Sequence, residues 1–146
     1  MSRMIKIATL GAASAAAAAM MAAPAHAAQL ASGTVVVKLS NGTTAANCAS
    51  TLDGTRSGSA INVTGATATS CGVTVTPVGL PWTGNIAAPA TMFFSMKALG
   101  CTYSGTLSGG TVAAGDVVTW TNQPVTGSGS ILCVSGVTVT AVYDFV

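Results

Sequence analysis

Histidine, cysteine and the carboxylates do most of the proton transfer and nucleophilic chemistry in proteins, and this chain holds few of them. Its one histidine is His26, it has no glutamate, and its carboxylates are Asp53, Asp116 and Asp144. Without a second histidine further along the chain there is no Ser-His or Cys-His nucleophile pair and no imidazole base tuned near neutrality. A glycosidase-like carboxylate pair would need two of the three aspartates to meet. Asp53 and Asp116 each adjoin a glycine in a turn-like context, and Asp144 falls on the polar face of the last β-prone segment. Isolated aspartates also do not supply the clustered oxygens that calcium requires. The many serines and threonines are unactivated hydroxyls, suited to exposed strand faces. The expectation is a protein with no catalytic residue, no cofactor and no metal, and not an enzyme.

The four cysteines, Cys48, Cys71, Cys101 and Cys133, are the remaining reactive groups. A zinc site needs close ligand pairs such as C-x-x-C, and no two of these lie close together. An even count in an exported chain favours disulfides instead, with three connectivities open to four cysteines. The simplest is sequential, Cys48 with Cys71 and Cys101 with Cys133.

Export is itself read from the N-terminus. Arg3 and Lys6 form a positive start, an apolar run through "AASAAAAAMMAA" follows, and Pro24 precedes the small-residue site "AHA". This is the pattern of a secretory signal peptide over residues 1–27, cleaved before Ala28. Removing it leaves Lys38, Arg56 and Lys97 against the three aspartates, a formally neutral chain. With no basic cluster, binding to nucleic acid has no electrostatic source. No later apolar run is unbroken enough to span a bilayer as a helix, so a secreted protein, extracellular or at the cell surface, is expected.

Residues 28–146 read as one domain of short β-prone runs separated by turn residues. "TVVVKL" comes first, closed by Asn41-Gly42; "AINVTG" and "GVTVTPV" follow a turn expected at Asp53-Gly54. "TMFFSMKAL" could carry a helical stripe, but its β surroundings favour a strand. "CTYSGTL", "DVVTWTN", "ILCV" and "VTVTAVYDFV" complete the set. In the last, Val137, Val139, Ala141, Tyr143 and Phe145 alternate with Thr138, Thr140 and Asp144, the period of a half-buried strand. The expected fold is all-β: an antiparallel β-sandwich, Ig-like or jelly-roll-like, with two disulfides. Every aromatic of this domain lies beyond residue 72, so the principal core is expected in 73–146, with 28–72 a looser layer or extended arm.

The corner "VGLPWTG" sets Trp82 behind Pro81, with glycines on both sides. It can either plug the core with Trp82 or present Leu80 and Trp82 as an exposed apolar anchor. The block from "VTPVGLPWTG" through "LGCTYSGTLSGGTV", "DVVTWTN" and "GSGSILCVSGVTVT" resembles small secreted proteobacterial proteins named as protein activators of alkane oxidation. Members share a signal peptide, a "GLPW"-like turn, a cysteine near a Gly-rich segment, a "W-x-N" strand and a late "G-S-C-x-x-S-G" element. This chain departs by inserting Ile131-Leu132 between Ser130 and Cys133, and by ending in "AVYDFV". The resemblance implies a secreted, non-enzymatic protein that helps cells use or disperse hydrophobic substrates, within the matrix or at the surface. It also supports pairing Cys101 with Cys133.

Three functional expectations follow. The first is a cell-surface or matrix accessory protein that is surface-active towards hydrocarbon, with an apolar phase or matrix component as partner. The second is a pilin-like subunit that self-associates by strand exchange through a detachable "GTVVVKL" arm. The third is a surface- or carbohydrate-binding module using Trp82, Trp120 or Tyr103 in one plane.

Overall fold

The computed structural model describes residues 27–146. Apart from Ala27, the signal-peptide reading therefore lies outside the described residues. Nine strands follow in order: β1 (Ala28–Lys38), β2 (Thr44–Ser57), β3 (Ala60–Thr69), β4 (Val75–Pro77), β5 (Trp82–Asn85), β6 (Ala90–Ala98), β7 (Cys101–Ala113), β8 (Val117–Ser128) and β9 (Val137–Phe145). Every ladder is antiparallel.

The expected sandwich is corrected to a closed barrel. The sheet runs β6-β5-β3-β2-β1-β9-β8-β7, and β7 pairs back onto β6, which leaves eight staves and no seam between two sheets. β4 and β5 both pair with the same edge of β6, β4 at Met96–Ala98 and β5 at Thr91 and Met92, so together they form one interrupted stave. Alternation of apolar and polar residues is common to sandwiches and barrels; closure depends on how strands coil. Here ladder irregularities at Gln29/Ala31, Val37/Lys38, Asp53/Gly54, Ala90/Met92 and Trp120/Gln123 bend the strands, as bulges do in barrels generally.

Asp53-Gly54 is one of those bends rather than the expected turn. The turn comes after Ser57, and Gly54 sits inside β2, where a Cβ would lie 2.1 Å from the Asn62 carbonyl oxygen of β3. "TMFFSMKAL" falls almost wholly within strand β6, whereas "ILCV" lies in the loop before β9 and forms no strand. The segment read as a looser arm is also corrected. β1 is bonded to β2 on one edge and to β9 on the other, and Val35, Leu52 and Val63 of β1–β3 are fully buried. Aromatic content misplaced the core because a barrel interior is shared by all its staves, and small branched residues fill it on this side.

The interior is packed by Trp82, Phe94, Met92, Leu107, Trp120 and Tyr143, all essentially inaccessible to solvent. The outer wall is threonine- and serine-rich, as along Thr102, Ser104, Thr106 and Ser108 of β7 and Thr138 and Thr140 of β9. Barrels that span bilayers show the reverse, an apolar outer band around a polar interior. Among the described residues no helix is long and apolar enough to cross a membrane.

Candidate functional site

The two ends of the barrel differ. One end is closed by the short turns after β2, β5 and β7. Its interior is filled by Trp120, whose indole Nε1–H donates to the Ala90 carbonyl at 3.0 Å. The other end carries the loops 39–43, 70–74, 99–100 and 129–136, and these four loops contain no charged residue. Both disulfides lie here. Cys48 of β2 bonds Cys71 just after β3, and Cys101 at the start of β7 bonds Cys133 in the loop before β9. Two disulfides are compatible with an extracellular protein.

Beneath the loops lies a cavity of about 280 Å³. Phe94 and Met96 contribute from β6, while Val35, Val137 and Val139 come from β1 and β9, which pair with each other on the opposite side of the barrel. The space exists because this half of the interior is lined mainly by valine and alanine, whereas the opposite half holds tryptophan and leucine. An eight-stranded barrel is just wide enough for side chains to fill or for one small ligand. Among the lining side chains only Tyr103 carries a hydroxyl, and none is charged. Tyr103 is half-buried, and its ring covers Gly127, where a Cβ would lie 2.9 Å from Cε1.

Around this cavity the protein exposes large apolar side chains. Leu99 and Val134 line it and remain 86% and 47% exposed, while Ile131 and Leu132 on the same loop as Val134 are 102% and 83% exposed. The Leu132 backbone N–H donates to Ser130 Oγ, and the Cys133 N–H donates to the Ser130 carbonyl, so the loop turns tightly before the disulfide ties it to β7. Lys38 ends β1 and Lys97 is the last residue but one of β6, both at this end, on staves across the ring from one another. The aspartates lie towards the far end, where Asp116 pairs with Arg56 at 2.7 Å, Asp53 stands opposite Gln29, and Asp144 stands opposite Val117.

The anchor reading of Leu80 and Trp82 is corrected by this geometry. Val78–Pro81 is a jog within the interrupted stave, held to β6 by the Val78 N–H donating to the Ser95 carbonyl. The jog turns Trp82 inwards, where it is fully buried, packs 5.7 Å from the Phe94 ring, and donates Nε1–H to the Val78 carbonyl. Leu80 is half-buried against the core. Trp120 is buried as well, so Trp82, Trp120 and Tyr103 do not form an exposed plane. The exposed apolar group that sequence reasoning missed is Leu99, Ile131, Leu132 and Val134. Its trace was the Ile131-Leu132 insertion beside Cys133, which in isolation reads as a short strand.

Among the described residues no three histidine, cysteine or acidic side chains come together as metal ligands. In comparisons with protein families, curated proteins and solved structures, nothing matches this chain.

Proposed function

We propose that this is an exported, non-enzymatic accessory protein of the cell surface or matrix that meets hydrophobic substrates with its loop-rich end. The observation that carries the reading is the group Leu99, Ile131, Leu132 and Val134, exposed on charge-free loops around an apolar cavity. Contiguous exposed apolar surface on a soluble protein marks a contact site. The carboxylates stand away from it and the two lysines flank it, so nothing near the rim opposes contact with an apolar or anionic surface. The resemblance to alkane-oxidation activators points the same way. A strand-exchange role draws no support from β1, which is bonded on both edges, and a closed barrel offers little free edge to donate.

The test is adsorption at a hexadecane–water boundary, followed by interfacial tension. The mature protein should lower the tension, and Ile131→Ser combined with Leu132→Ser should weaken adsorption by about 3 kcal/mol or more, roughly a hundredfold. Both side chains are exposed, so folding stability should stay within about 0.5 kcal/mol of the parent. Undiminished adsorption by the double variant would refute the assignment of the rim.

A further inference from the structure

The exposed rim accounts for contact with a surface, but not for the hollow beneath it. From the volume and lining of that hollow we infer that it is a binding site for a single neutral aliphatic chain of about ten carbons, a hydrocarbon or its primary alcohol. This deepens the reading of the loop-rich end as an apolar-phase surface and rests on it for the ligand's route in.

Size comes first. An engineered apolar cavity of ~150 Å³ holds benzene, and this one, at about 280 Å³, is nearly twice as large. Lining chemistry comes next. A buried water needs two to four polar partners, and the cavity wall offers a single side-chain hydroxyl, that of Tyr103. Among the described residues no buried side-chain polar atom lacks a hydrogen-bond partner, so no unsatisfied group waits there for a polar ligand. A carboxylate carried into this lining would lose its hydration with no cation among the lining side chains, a cost that selects against ionised chains. A terminal hydroxyl is tolerated only where Tyr103 can meet it, near the mouth. Most of the wall is strand, and of the loops that complete it at the mouth those carrying Val73 and Val134 are tied down by the two disulfides, so the space is largely preformed.

The experiment is calorimetric titration of the mature, disulfide-intact protein in dilute buffer with 1-hexanol, 1-octanol, 1-decanol and 1-dodecanol, and with sodium decanoate at pH 8. One saturable site per chain is expected, with affinity rising about fourfold per added methylene and ceasing to rise near 1-decanol. Decanoate should bind at least tenfold more weakly than 1-decanol. Ala46→Phe, which places a ring in the cavity from β2, should weaken 1-decanol binding at least tenfold, with Ala98→Phe as a second filling variant. The chain-length limit needs no variant and stands even if both substitutions impair folding. Absence of a saturable site, affinity that climbs past dodecanol without limit, or equal binding of decanoate would each overturn the inference. The titration contains no bulk apolar phase, so its result is independent of adsorption: a protein that adsorbs to hexadecane but shows no saturable site loses this inference alone.

Discussion

Tyr143 and Ser50 show how a barrel core accommodates polar atoms. Ser50 Oγ donates to the Thr67 carbonyl at 2.8 Å, which uses its only proton, so in the 2.7 Å contact with Tyr143 the phenol is the donor. Burial raises the Tyr143 hydroxyl from 10.0 to about 12, with the Ser50 hydrogen bond pulling in the opposite direction. Below pH 10 the phenol is protonated in both the folded and unfolded chain. Between about pH 10 and 12 only the unfolded chain releases the proton, so stability falls as pH rises, by up to about 1.4 kcal/mol per pH unit. Tyr143→Phe has no proton to release, and urea unfolding of the two proteins should show their stability difference shifting towards the variant across that window. At neutral pH the same substitution should cost about 0.5–1.5 kcal/mol, because Ser50 keeps its carbonyl partner. Periodicity placed Tyr143 on the inner face; its partner on β2 lies 93 residues away and no local pattern announces it.

At the scale of strands, the closing pair β6–β7 depends on a glycine. Gly110 of β7 faces Ala90 of β6, and the Trp120 indole of β8 lies over it, so a Cβ on Gly110 would stand 2.6 Å from Nε1. Gly110→Ala must displace the indole and its bond to the Ala90 carbonyl. A loss of about 1–3 kcal/mol is expected, with a change in near-ultraviolet tryptophan dichroism that reports the moved ring. The strands themselves were largely readable: β9 alternates without interruption, Asn41-Gly42 turns between β1 and β2, and "TMFFSMKAL" is extended. Gly54 was not readable, since a glycine beside aspartate signals a turn in sequence, whereas here close approach of β3 is what requires it.

For the whole molecule, the two disulfides should separate stability from adsorption. Each closes a loop of a length that contributes about 3–4 kcal/mol in the chain-entropy model. Removing Cys101–Cys133 by paired alanine substitutions should cost about that much in denaturant unfolding, and should also weaken adsorption to hexadecane, because the loop carrying Ile131, Leu132 and Val134 loses its tie to β7. Removing Cys48–Cys71 should cost a similar ~3–4 kcal/mol while leaving adsorption largely intact, since that bond secures the loop after β3. Equal adsorption by both variants would mean that the rim does not depend on its loop being held.

From its residues alone the chain specified its class: alternating threonine and valine make strands, because that period puts one side in and one side out. Cysteine parity and spacing likewise favoured staples over a metal site. Tertiary structure decided the rest. Whether staves close into a barrel depends on β6 meeting β7, a pairing of strands whose bends arise at bulges. Whether "GLPW" points in or out depends on β6 holding the jog that turns Trp82 inwards. The cavity belongs to no segment at all, because it is the space left where small side chains from several staves face one another beneath a disulfide-bound rim.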